Sequence, residues 1–250
     1  MTSVSDASVA AETRAVVQRL GGAFMTSPEL AEQEAAAGQP ARTLYFSGRA
    51  AALGAPTPLV VAETFGVFPP KMVELLLGRA TLLPEAALAA YLEALWQWSR
   101  TSLAGATTPD RTADLLLTAV DAADASGLPV FAGLRAAARP DDGPERLGHA
   151  LMLLRELRGG LHFAALRACG VPLPAAVVAN PGAGPARLPQ LGWREPDAAA
   201  LVAAAGAIPN LAVRWAAAED ATNLRTDEIL AAALDTDELT ELHMALLALD

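Results

Sequence analysis

Two groups of side chains in this 250-residue chain have types and spacings that could do chemistry. The first is His149, Arg155, Glu156, Arg158 and His162. A histidine titrates near neutral pH and, beside a carboxylate, can serve as general acid or base. His149, His162 and Glu156 are therefore the candidate catalytic residues. At helical spacing His149, Met152 and Glu156 share one stripe, while His149 and Arg155 fall on adjoining faces. His162 follows Gly159-Gly160, a pair expected to break or kink the helix, so its direction is open. The plainer alternative is that Glu156 pairs with an arginine and the histidines are half-buried structural donors.

The second group is Tyr45, Phe46, Arg49, Thr64, Phe65, Phe68, Trp96 and Trp98. Aromatic residues make up only 5% of the chain, so their concentration here is informative. It reads as an apolar pocket with Tyr45 and Arg49 as polar anchors. The expected ligand-binding residues are Tyr45, Phe46, Arg49, Phe65, Phe68 and Trp96, joined by Arg155 and Arg158. An ordinary helical core is the equal alternative, with Arg49 in an ion pair with Glu63 or Glu156. Trp96 and Trp98 cannot share a helix face, because residues two apart point away from each other.

Other chemistry is not signalled. No P-loop, dinucleotide fingerprint or nucleophile elbow occurs, and no cofactor is expected. No H-x-x-x-H or H-E-x-x-H spacing supports a metal, and none is expected. The single cysteine, Cys169, rules out an intrachain disulfide and reads as a small buried residue at a helix end.

The elements that must position these groups are helices. Hydrophobic residues make up 53% of the chain, many of them alanine, which favours closely packed helices. Periodicity runs from Val9 to Leu20, where Gly21-Gly22 is expected to stop it. Ser27-Pro28 starts a second helix that ends at Gly38. Further helices are expected over Arg42–Leu53, Pro58–Phe65, Pro69–Leu77 and Pro84–Leu103. Another follows from Pro109 to about Ala125, and a short one over Val130–Ala138. The polar run Arg139–Pro144 is the expected boundary between domains of residues 1–140 and 141–250. Beyond it come Glu145–Arg158, Leu161–Ala168, Pro174–Ala179 and Arg194–Ala205. Ala207–Arg214 has weak β character, although Pro209 disfavours a strand ladder. Trp215–Leu234 and Thr236–Leu249 close the chain, the last capped by Asp235 and an acidic first turn. Met1–Ser8, small and polar, is expected to be loose.

The expected fold is thus all-α with at most a short β-wing. An N-terminal helical bundle packs on a degenerate winged-helix-like C-terminal part. Met1–Ala11 lacks the features of a signal peptide, and no apolar run is long enough for a span. A cytoplasmic setting and no membrane partner follow. The Ala, Arg, Leu, Gly and Pro bias, with Lys71 the single lysine, suggests a high-GC actinobacterial genome.

Several motifs in order resemble the actinobacterial SalK-like helix-turn-helix family, whose second half is distantly related to MarR regulators. They are Tyr45–Gly54, Thr64–Pro70, Leu153–His162 and Gly192-Trp193-Arg194. The resemblance covers roughly residues 12–245 and implies a winged helix with Arg194–Ala205 as recognition helix. Two departures stand out. The family's central run, Leu-Arg-Glu-His-Arg-Gly-Asp-Gly-His, has Leu157 and Gly160 here at its first His and its Asp. The wing's usual signature gives way to Gly206–Arg214.

Net charge is −10. From Arg187 to Asp250 there are 4 basic residues and 11 acidic ones, and only Arg194 on the expected recognition helix could read a groove. DNA is accordingly not an expected partner. A small-molecule ligand or substrate is, and the C-terminal helices offer a route to a homodimer. The leading functional reading is a small-molecule-binding protein of actinobacterial secondary metabolism. Whether it is an enzyme stays open. If so, it is a cofactor-independent cyclase, isomerase or lyase acting on an apolar polyketide-like substrate. The alternative is a ligand-responsive MarR-like transcriptional regulator.

Overall fold

A computed structural model describes residues 8–141 and 143–249. Residues 1–7 of the expected loose N-terminus lie outside them, as do Asp142 and Asp250. In chain order the helices are α1 (Val9–Ala23), α2 (Pro28–Ala36), α3 (Thr43–Ala51), α4 (Pro58–Phe65), α5 (Pro70–Arg79), α6 (Pro84–Ser102), α7 (Pro109–Ala122) and α8 (Pro129–Arg135). They continue as α9 (Gly143–Ala168), α10 (Leu173–Ala179), α11 (Asp197–Gly206), α12 (Leu211–Ala233) and α13 (Thr236–Leu247). The fold is all-α: no strand occurs among the described residues.

Local chemistry explains where the helices begin. Proline occupies the first turn of α2, α4, α5, α6, α7 and α8, where its missing N–H costs nothing. Ser8, Ser27 and Thr57 cap α1, α2 and α4 through their hydroxyls, and Asp235 forms a capping box with Glu238 on α13. Asp227 of α12 ties down the start of α1, accepting from Ser8 Oγ at 2.5 Å and from the Ala10 N–H at 2.8 Å.

The centre of the fold is α9. Leu147, Leu151, Met152, Leu153 and Leu157 are fully buried, and between them they cover every side of the helix. A stretch buried on every side belongs inside a bundle, and α1, α6, α7, α8 and α12 pack around it. The main apolar cluster runs from Val16 to Leu246 and draws on both sides of the Arg139–Pro144 segment. A smaller cluster, containing Leu166, Leu173, Trp215 and Ala218, joins the end of α9 to α10 and α12.

Two expectations change. Gly21-Gly22 does not stop α1, and Gly159-Gly160 does not break α9. Glycine costs a helix only about 1 kcal/mol, less than packing returns when a neighbour must come close. At Gly21 a Cβ would stand 2.6 Å from the Leu151 carbonyl oxygen, so glycine lets α1 lie against α9. The weak β character read at Ala207–Arg214 gives no strand, within the all-α expectation: those residues form a turn and the start of α12. Pro209 cannot donate to a ladder, and Asn210 adopts the left-handed conformation (φ 54°) that turns the chain into the helix. Among the described residues no single helix is long and apolar enough to cross a membrane.

Candidate functional site

Because α9 is continuous, one helix sets the direction of both histidines. At roughly 100° per residue His149 and His162 stand about 220° apart. His149 points into the core, where it is 1% exposed. Its Nδ1 accepts from Trp96 Nε1 at 3.3 Å. An indole N–H only donates, so Nδ1 carries no proton and the ring is neutral with its proton on Nε2. Burial and the charge of Arg139 push its pKa down to about 4. His149 therefore does not join His162, and Trp96 serves as its partner in the core.

Arg155, Arg158 and His162 fall within about 60° of one another on the other side of α9 and face a cleft of about 940 Å³. Tyr45 and Arg49 from α3, Phe65 from α4 and the following Phe68 line the same cleft. Phe131 of α8 and Trp215 of α12 add apolar surface, and Asn180–Ala183 lies at the rim. Phe46 is 3% exposed and backs Tyr45, ring centroids 4.9 Å apart, without reaching the cleft.

Two carboxylates organise the wall. Glu156 accepts from Arg49 Nη2 at 2.6 Å and from Arg155 Nη1 at 2.7 Å. Burial opposes its charge, but Arg49 and Arg155 outweigh that and hold the carboxyl below its ordinary range. Arg49 is likewise held firmly protonated: Glu156 overcomes the penalty of burial. Its guanidinium also lies 4.3 Å from the centre of the Phe65 ring. Glu219 of α12 accepts from Arg158, stands 3.3 Å from Arg14 of α1, and is 3.7 Å from His162 Nδ1. It too is held low, Arg158 outweighing burial. Arg158 Nη2 also donates to Asn223 Oδ1 at 2.7 Å.

His162 Nδ1 is 3.1 Å from Thr222 Oγ1, whose own proton goes to the Ala218 carbonyl. The hydroxyl can then only accept, so the histidine proton sits on Nδ1 and Nε2 keeps a free lone pair. Burial lowers the His162 pKa despite Glu219. The ring meets Trp215 edge-on at 6.1 Å.

Of the candidates read from sequence, Tyr45, Arg49, Phe65, Phe68, Arg155, Glu156, Arg158 and His162 share this cleft, while His149, Phe46 and Trp96 do not line it. Sequence reasoning missed Arg14, Phe131, Trp215 and Glu219. A signal existed for the last two: Trp215, Ala218, Thr222 and Thr226 mark the buried stripe of α12, and Glu219 stands at its edge. Among the described residues no cluster of side chains is suited to a metal ion.

A family model described as a helix-turn-helix family matches residues 10–249. No curated protein and no solved structure matches the chain. The family match corrects the expectation that DNA is not a partner. That expectation rested on the summed charge from Arg187 onward and on Arg194 being the one groove-reading residue of the expected recognition helix; the family match overturns it, because a charge summed along a segment does not say where its cations meet phosphate. Helices α11 and α12 meet at 88° across Ala207–Asn210.

Proposed function

The chain belongs to this helix-turn-helix family, and on that premise we propose that it is a DNA-binding regulator whose cleft takes a small-molecule effector. One observation carries the reading: the cleft wall holds both sides of the α11–α12 corner. Before α11, Trp193 Nε1 donates to the Val67 carbonyl at 2.8 Å, and Val67 lines the cleft beside Phe68. After the corner, Trp215 and Glu219 of α12 line the same cleft. A ligand that moves either wall moves α11, so occupancy and DNA affinity are coupled reciprocally. The exposed residues of α11 are Asp197, Ala199, Ala200, Val202, Ala203, Ala204 and Gly206, none of them a cation, so the DNA grip falls to cations beside it, with exposed Arg194 foremost. The SalK-like assignment, a place in actinobacterial secondary metabolism and a cytoplasmic setting belong to the same proposal.

The test is fluorescence anisotropy with a duplex from the gene's own upstream region and a scrambled duplex of equal length. The expected result is preference for the upstream duplex, weakening with salt, and reduced in Arg194→Ala. Equal binding to both duplexes, or none to either at low salt, overturns the reading.

A second reading has one observation in its favour. His162 Nε2, with its proton elsewhere and Glu219 and Thr222 behind it, suits a general base on the cleft wall. It implies a non-redox isomerase, cyclase or lyase. Turnover of a substrate class by the wild type, abolished in His162→Gln, would move the assignment to an enzyme.

A further inference from the structure

The chain carries a net charge of −10, yet the cleft is basic. Seven of the chain's 17 arginines line it, against three glutamates, Glu63, Glu156 and Glu219. The buried carboxylates do not balance the guanidinia around them. Glu156 is shared by Arg49 and Arg155, and Glu219 by Arg158 and Arg14. Two carboxylates thus serve four arginines. The Nε–H groups of Arg49, Arg155 and Arg158 are buried with no hydrogen-bond partner among the described residues. Arg158 is 7% exposed. Further out, Arg167 and Arg187 line the same cleft, exposed, and meet no carboxylate among the described residues.

Guanidinium charge held away from water without a matching carboxylate is costly, and the cost is relieved by an anion that brings its own oxygens. Arginine suits this because its planar fork pairs with both oxygens of a carboxylate or phosphate. The rest of the wall is apolar and aromatic. Phe65, Phe68, Phe131, Phe163 and Trp215 offer ring faces and edges to a flat or bulky body.

We infer that the effector is an amphipathic anion: an apolar, ring-containing body seated against these aromatics, with a carboxylate or phosphate group held by the surplus arginines of the cleft. The inference rests on the reading of the cleft as the effector site of a DNA-binding regulator.

Titration calorimetry with three probes of one shape tests it: 2-naphthoate, 2-naphthyl phosphate and the neutral 2-naphthylmethanol. The two anions are expected to bind, and the neutral probe at least about tenfold more weakly, as loss of one charge-assisted contact implies. The stronger of the two anions identifies the group as carboxylate or phosphate. Arg167→Gln/Arg187→Gln changes only exposed side chains, and Arg155→Gln leaves Glu156 paired with Arg49. At least one of these variants is expected to lose anion affinity by about fivefold or more while the neutral probe is unaffected. A neutral probe that equals the anions, anions that fail to bind, or unchanged anion affinity in both variants overturns the inference. Anisotropy on the upstream duplex without probe is run in parallel. DNA binding with no anion preference sinks this inference alone; anion binding with no DNA binding sinks the regulator.

Discussion

At the scale of single residues, the two histidines of α9 are set to opposite tautomers by what they touch. Trp96 can only donate to His149, and Thr222, its proton committed to Ala218, can only accept from His162. The consequence for stability is a sign. The folded pKa of His149, about 4, lies below its ordinary value of 6.5, so folding favours the neutral ring. That stabilisation is complete above about pH 6.5 and is lost as pH falls toward 4. Its size is roughly 3 kcal/mol for a shift of this extent. His162, also lowered, acts in the same direction. Thermal unfolding followed across this range should show the melting temperature falling with pH, and His149→Leu should flatten most of that slope. An unchanged slope in the variant means the core histidine is not the sensor. The carboxylates Glu156 and Glu219, held low by arginines, give way only at more acid pH.

At the scale of elements, the site depends on how closely helices approach. Gly48 on α3 faces α6, where an added Cβ would stand 2.4 Å from Tyr91 Cβ and 2.9 Å from the Ala87 carbonyl oxygen. That contact seats Tyr45 and Arg49 against the cleft. Gly78 on α5 has nothing within 4 Å of the same position. Both are helical, so alanine offers each about 1 kcal/mol of propensity. Overpacking costs about 1–3 kcal/mol where neighbours cannot yield. Gly48→Ala should therefore lower the denaturation midpoint and weaken cleft binding, and Gly78→Ala should raise the midpoint. The idea fails if the two substitutions shift stability in the same direction.

At the scale of the whole molecule, α9 organises everything else. Its leucines pack with helices from both halves of the chain, and the main apolar cluster includes Val16 and Phe24 as well as Leu230 and Leu246. Each buried leucine is worth about 1.5–3 kcal/mol relative to exposure. A fragment of residues 1–140 would leave the faces of α1, α6 and α7 that pack on α9 in water. We expect it to lack a cooperative thermal transition by circular dichroism, whereas the full chain melts in one step. A sharp transition in the fragment would establish residues 1–140 as an independent domain.

Much of this was legible in the sequence because it is local. Helix starts follow from Ser27, Asp235 and first-turn prolines, whose chemistry acts within one turn, whereas Ser8, expected to be loose, caps α1 and is held there by Asp227 of α12. The all-α class was readable from spacing and composition, and so was the grouping of Tyr45, Arg49, Phe65 and Phe68, which line one cleft, although composition left pocket and core as equal readings. The Arg49–Glu156 pair stood among the alternatives read from sequence, but the choice of Glu156 over Glu63, and the pairing of Arg158 with Glu219, were not legible. Glu156 takes Arg49 from 107 residues away and Arg158 takes Glu219 from 61. Nor could sequence say that Gly159-Gly160 would stay helical, which alone decides that His149 and His162 face apart. Periodicity and caps are properties of a segment, and residues determine them unaided. Which charge meets which, and whether a weak helix position is held straight, depends on neighbours distant in sequence, and only the packed fold supplies them.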